Sequence, residues 1–200
     1  MIVCCIYPVL ASQMKTITPI KETPQVPING NADDPAIWMN KLNPNLSLIF
    51  GTDKYNGIYT YNLAGDTIGF SKAGKINNID LRTIKNTKSN NTATYIFGSN
   101  SGNNNINLWI QDNKSLNKGS LNSNFSLSIT PDHSEQTNIL AYGICAGFDD
   151  QFGLIAFVTE AKGSRVQMWQ YKDNKLSILK VFNNQNASES EGCVYDDQNR

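Results

Sequence analysis

From about residue 46 onward, short apolar runs alternate with polar, Asn- and Gly-rich turns, and the runs come in pairs. Compact apolar stretches at Leu46 to Thr52, Tyr95 to Ser99 and Gly153 to Thr159 predict buried strands. Each is followed, after a turn, by an alternating stretch: Ile58 to Leu63, Ile106 to Gln111 and Arg165 to Tyr171. Helical periodicity is hard to find. Each second strand places an aromatic at the matching position, namely Tyr61, Trp109 and Trp169.

The pairs repeat. Phe50 to Phe97 is 47 residues and Tyr61 to Trp109 is 48, while Phe97 to Phe157 and Trp109 to Trp169 are both 60. A unit of this size with a strand, turn, strand signature and one longer insertion is what four-stranded propeller blades look like. A β-sandwich also alternates short strands and turns, but it does not require an in-phase aromatic in each unit. The expected fold is all-β, a β-propeller of which about three blades are present. The extra length falls between Asp112 and Thr137, whose Ser, Asn, Lys, Thr and Pro content predicts a surface loop. That loop holds the only histidine, His133, which is assigned no role.

Lysine plus arginine equal aspartate plus glutamate at 17 each, so no net field points to nucleic acid or a membrane surface. Any charge chemistry has to be local. The first residues, 1–12, are apolar and end in Val9-Leu10-Ala11, the small-residue pattern of a signal peptide, although the basic start is missing. Residues 13–28, with Pro19, Pro24 and Pro27, read as an extended arm, and 29–200 as the propeller part. Cys4 and Cys5 sit in the leader. Cys145 and Cys193 lie in apparent strands, most simply as small buried hydrophobes, and the sequence leaves a disulfide between them open. No zinc-ligand spacing is present.

The most specific stretch is Asn31-Ala32-Asp33-Asp34-Pro35-Ala36-Ile37-Trp38. Pro35 forces Asp34 into an extended conformation, and the pleat of a strand sends neighbouring side chains opposite ways. Two hard oxygen ligands facing different directions could serve two cations, where the plainer alternative is an Asx turn ahead of a strand. Two further stretches follow, Gly51-Thr52-Asp53-Lys54 and Ile76-Asn77-Asn78-Ile79-Asp80-Leu81-Arg82. Later come Gly98-Ser99-Asn100, Tyr142-Gly143, Lys162 ahead of Arg165-Val166-Gln167-Met168-Trp169, and Ser190-Glu191-Gly192-Cys193-Val194. In this order, from about Asn29 to Arg200, the set resembles the β-propeller phytases, calcium-dependent alkaline phosphatases of inositol phosphates.

The resemblance implies a six-bladed propeller and a site on its face. It makes Asp34, with the Pro35 and Ile79 carbonyls, look like ligands of a structural Ca2+. Asp33 and Glu191 look like ligands of the catalytic Ca2+ cluster, Tyr142 matches a tyrosine at that site, and Lys54 and Lys162 match lysines that contact phosphate. The implied activity is hydrolysis of phytate by water attack beside the metal, with calcium-phytate or other inositol phosphates as the small-molecule partner. The implied protein is a monomer, secreted or periplasmic, that engages neither nucleic acid nor membrane. No serine, cysteine or histidine nucleophile is evident.

This chain departs from the family pattern in three places. Ser101 stands where the family has a phosphate-clamping arginine, and Tyr55 stands where it has a second lysine. Gly163 replaces an acidic neighbour of Lys162, with Glu160 close by as a substitute. Asp196-Asp197-Gln198-Asn199 is a turn signal that should open another strand, so the sequence reads as the N-terminal part of a longer domain or a truncated product. The departures keep a second reading alive, a non-catalytic calcium-binding propeller that binds phosphorylated or anionic ligands. A propeller serving only as an interaction scaffold is a third.

Overall fold

The computed structural model describes residues 16–85, 91–122 and 124–199. The leader assigned to 1–12, including Cys4 and Cys5, lies outside the described residues. Residues 16–31 carry no helix or strand, and among the described residues a single 3-10 turn sits at Pro44–Leu46.

Among the described residues twelve strands form three four-stranded antiparallel meanders, each built from consecutive strands. The first contains β1 (Ala32–Trp38), β2 (Leu48–Asp53), β3 (Gly57–Tyr61) and β4 (Thr67–Ser71). The second contains β5 (Ile76–Lys85), β6 (Thr92–Asn100), β7 (Asn105–Asp112) and β8 (His133–Gln136). The third contains β9 (Ala141–Asp149), β10 (Gly153–Glu160), β11 (Arg165–Lys172) and β12 (Lys175–Asn183). These are blades of a partial propeller.

The second blade buries both faces, one against each neighbour, while the first and third each leave a face partly open, with Ile37, Phe148, Val181 and Phe182 exposed. Tyr61, Trp109 and Trp169 pair across the ladder with Ile49, Ile96 and Ala156, the same register position in three blades. Alternation along the strands then divides the second blade between two cores. Ile96 and Trp109 join Trp38, Leu48, Phe50 and Ile58 of the first blade, whereas Phe97, Ile106 and Leu108 join Ile144, Ala156 and Trp169 of the third. Burial of this kind contributes on the order of 25 cal/mol per Å² of apolar surface, and it is the main force docking blade on blade.

The segment from Asp112 to Thr137 is more than a loop. Asp112 caps a short helix, α1 (Asn113–Ser120), by accepting the Ser115 N–H at 2.9 Å, and the helix drops Leu116 into the first core beside Leu127. His133 opens β8 and rests its ring 5.0 Å from that of Tyr171 on the next blade. Beyond β12, residues 184–199 carry no helix or strand. They lie against the third blade, where Cys193 is joined to Cys145 of β9. This corrects the reading of both cysteines as buried hydrophobes: Cys145 is buried, but Cys193 is exposed and outside any strand. Sequence spacing does not report whether two Cα atoms come within disulfide range, and here they are 5.6 Å apart.

Candidate active site

The site is built at one end of the innermost strands, and a repeated backbone irregularity makes it. In β1 the register shifts between Ala32 and Pro35, in β5 between Ile76 and Ile79, and in β9 between Ala141 and Ile144. At each place the inner strand spends one more residue than its partner, a β-bulge that breaks the ladder and re-aims side chains. The two bulged residues are Asp33-Asp34, Asn77-Asn78 and Tyr142-Gly143.

A hydroxyl from the partner strand repairs each break. The Asp34 N–H donates to Thr52 Oγ1 at 3.0 Å, and Thr52 Oγ1 donates onward to the Asn77 carbonyl at 2.9 Å. The Asn78 N–H donates to Ser99 Oγ at 3.1 Å, and Ser99 Oγ donates to the Tyr142 carbonyl. The Gly143 N–H donates to Thr159 Oγ1 at 3.0 Å, and Thr159 Oγ1 donates to the Glu191 carbonyl at 3.5 Å. Each hydroxyl therefore satisfies a bulge in its own blade; those of Thr52 and Ser99 fasten the inner strand of the next blade, and that of Thr159 fastens the segment after β12. Asp33, Asn77, Tyr142 and Glu191 occupy one equivalent position in four successive inner segments.

Lys54 gathers three of these four. Its Nζ lies 3.0 Å from Asp33 Oδ2, 3.9 Å from Glu191 Oε1 and 5.3 Å from the centre of the Tyr142 ring. Burial works against its charge, but hydrogen bonding to Asp33 and the surrounding anionic groups outweigh that and hold the ammonium above the usual lysine range. Burial likewise raises the Tyr142 phenol, with Lys54 opposing and Glu191 reinforcing the shift. The Lys54 backbone is fixed too, its N–H donating to the Asn31 carbonyl at 2.9 Å. Asp53, fully buried beside it, accepts from the Asn31 and Tyr55 N–H groups and from Asn56, so it builds the turn that presents the lysine.

Asp34 goes elsewhere, as two residues of a bulge can. Its Oδ2 accepts the Ile79 N–H at 2.9 Å across the blade junction. Burial raises its carboxyl above the ordinary value, partly offset by bonds from Ile79 and Asn78, with Asp33 and Asp80 adding repulsion. Pro35 faces Gly51 and Ile79 faces Gly98 in the ladders.

The remaining sequence candidates stand apart from this cluster. Lys162 is exposed on the turn after β10, with a φ of 55°, and its backbone N–H donates to Glu189 Oε1 at 3.3 Å. Glu160 does not serve as its acidic neighbour: it is bonded to the Arg165 guanidinium, which holds its carboxyl below the ordinary range. Ser101 occupies the second blade's counterpart of Lys54, since its N–H donates to the Lys75 carbonyl at 2.9 Å as that of Lys54 does to Asn31. Its hydroxyl turns back onto the same carbonyl at 3.2 Å.

Sequence reasoning missed Thr52, Ser99 and Thr159. The signal was present as a hydroxyl followed by an acid or amide, Thr52-Asp53, Ser99-Asn100 and Thr159-Glu160, at spacings of 47 and 60 that match the blades.

Among the described residues no three His, Cys, Asp or Glu side chains converge into a metal cage by themselves. The donor chemistry nevertheless suits a hard cation: Asp33, Asp34 and Glu191 offer carboxylate oxygens, and Asp34 carries a desolvated charge with two like charges nearby.

Comparison with known proteins identifies the family. The family model described as Phytase matches residues 4–200. A 3-phytase of Bacillus subtilis (strain 168) is 30% identical over 175 residues, which cover 84% of this chain and 43% of that protein. The chain thus spans less than half the length of this curated relative. A crystal structure of BBS1N in complex with ARL6DN, soaked with lead, superposes with a TM-score of 0.36 at 8% identity, covering 86% of this chain and 59% of that chain, a likeness too loose to bear on function. With its ordered motifs, its blades and a family match that runs nearly end to end, the chain belongs to the Phytase family.

Proposed function

We propose that this chain carries the substrate-facing part of a calcium-dependent phosphomonoester hydrolase acting on phytate, a monomer exported from the cytoplasm. The observation that carries the reading is the seat of Lys54 between Asp33, Glu191 and the Tyr142 ring, three inner segments meeting at one cation. An inositol polyphosphate is densely anionic, so carboxylates alone would repel it. The ammonium, held cationic into the alkaline range, offers a phosphate oxygen a fixed donor.

Asp33 and Glu191 would hold the catalytic cation, and Asp34 with the Pro35 and Ile79 carbonyls the structural one. A bound calcium would supply charge stabilisation for the phosphoryl group and a more acidic coordinated water. Lys54 would exchange its bond to Asp33 for one to phosphate as substrate enters, leaving that carboxylate to the metal. Tyr142 would wall the pocket and orient the substrate, and exposed Lys162 would reach an outlying phosphate. The Cys145–Cys193 disulfide supports export, because such bonds persist in oxidising compartments.

The test is phosphate release from calcium phytate by the full-length protein at neutral to alkaline pH. Calcium-dependent release that Glu191→Gln abolishes is expected, and no release with calcium present would overturn the reading.

Ser101 favours a second reading, a propeller that binds phosphorylated ligands without turnover. A short neutral side chain folded back on the Lys75 carbonyl cannot clamp phosphate. Calcium-dependent binding of phytate without release would support it, and activity gained by Ser101→Arg would mark the chain as a decayed enzyme.

A further inference from the structure

The blade junctions are fastened twice, and the third fastening differs in kind. At the first junction the Thr52 hydroxyl is joined by Asp34 Oδ2 accepting the Ile79 N–H at 2.9 Å. At the second, the Ser99 hydroxyl is joined by Asp80 Oδ2 accepting the Ala146 N–H at 2.8 Å. At the third, the Thr159 hydroxyl reaches the Glu191 carbonyl at 3.5 Å, the limit of a hydrogen bond, and the second fastening is covalent. Cys145 lies three residues after Tyr142, as Asp80 lies three after Asn77, so it holds the same place in its blade. Cys193 lies two residues after Glu191, as Ile79 lies two after Asn77.

The segment so fastened is the one that needs it. Residues 184–194 have no ladder partner, and β12 ends at Asn183. Downstream, Tyr195 Oη donates to Asp149 at 2.7 Å, and the Arg82 guanidinium donates to Asp197 at 3.0 Å. Between β12 and those anchors the polar contacts are few: the Asn184 N–H to the Ser164 carbonyl at 2.7 Å, Asn184 to Ser190 at 3.0 Å, the Lys162 N–H to Glu189 at 3.3 Å, and Glu191 to Lys54 at 3.9 Å. Gly143 lets the Glu191 carbonyl come against β9, where a Cβ would overlap it.

We propose that the Cys145–Cys193 disulfide is a positioning element of the site, clamping the segment that carries Glu191 against the strand that carries Tyr142. The proposal rests on the functional reading only for its activity arm. Opening the clamp needs an external dithiol: its thiolate attacks the exposed Cys193 sulfur, expelling the Cys145 thiolate and leaving a mixed disulfide on Cys193, and the second thiol then closes the reductant into a ring as the Cys193 thiol is released.

The experiment compares the oxidised full-length protein with the same protein reduced under native conditions, the uptake of two hydrogens being confirmed by mass. Amide hydrogen exchange is followed without substrate. Exchange in 186–194 should quicken about tenfold or more while β9 to β11 keep their protection. In the activity arm, turnover of calcium phytate should fall about tenfold and the calcium needed for half-maximal rate should rise, as for other groups that orient metal-facing ligands. Reoxidation should restore both.

Unchanged exchange in 186–194 would overturn the clamp, and so would equal loosening of β9 to β11, which would mark a purely structural bond. Cys145→Ser with Cys193→Ser gives the permanently open form, and if it fails to fold, the reductant arm still decides. An oxidised protein without turnover would sink the phytase reading alone, leaving exchange to judge the clamp.

Discussion

Lys54 and Asp33 meet at 3.0 Å across the β1–β2 pair, and both are more than three-quarters shielded from solvent. An ion pair at this depth orients its members more than it stabilises the fold, contributing about 0–1 kcal/mol. Lys54→Met is therefore expected to cut phosphate release by about a hundredfold or more while moving the melting temperature by only a few degrees. Steady-state assays beside a thermal melt check both halves of the expectation.

Asp34 should behave oppositely with and without metal. Its folded-state pKa is raised, so the native state holds the proton more tightly than the unfolded chain, and stability declines as pH rises through the folded value. At neutral pH in a calcium chelator, Asp34→Asn should thus raise the melting temperature by about 2–5 °C. The gain should shrink as pH falls through the carboxylate range, where the native Asp34 is already neutral. With calcium added, the wild type should gain stability that the variant does not. A chelator and calcium series of melts across pH checks the sign in each arm.

Two glycines separated by the disulfide's reach give a matched pair. A Cβ on Gly143 would overlap the Glu191 carbonyl and lie 2.7 Å from Thr159 Oγ1, whereas one on Gly192 meets nothing within 4 Å. Gly143→Ala is expected to cost about 1–3 kcal/mol and to displace Glu191, with activity lost in step. Gly192→Ala should be close to neutral. Denaturant midpoints and turnover of the two variants measure the contrast.

Removing a junction hydroxyl should be costly because it orphans two backbone groups at once. Thr52→Val leaves the Asp34 N–H and the Asn77 carbonyl without their buried partner, at about 1–3 kcal/mol. Thr60, fully buried in the neighbouring strand with no partner for its own hydroxyl, is the control: Thr60→Val should cost little or stabilise. Urea unfolding of both variants tests this.

The blades were legible because stacking one blade on the next imposes a repeated aromatic, and Tyr61, Trp109 and Trp169 carry it at the same register. Asp33, Lys54, Tyr142 and Glu191 were legible only through the resemblance, since each alone reads as a turn acid, an edge lysine, a core aromatic or a solvated carboxylate. Their common position was not, because a bulge adds one residue without leaving a compositional mark. The helix α1 escaped notice for a related reason: in eight residues its anchoring side chain is the single Leu116, too little to set a period. Lys162 matched by motif but sits outside the Lys54 cluster, since a turn fixes its backbone while leaving its side chain in solvent.

Every blade pairs strands that are neighbours in sequence, so each can form from local contacts. The hydroxyl bridges instead join residues 25, 43 and 32 apart; the first two cross from one blade to the next, and the third crosses from the third blade to the segment beyond β12. The site consequently belongs to no blade. It comes into being only as blades dock, which makes it a late event in folding and the first thing forfeited when a junction opens. A cation or polyphosphate seated there would act as mortar between blades, so its binding energy would be read out as resistance to their separation.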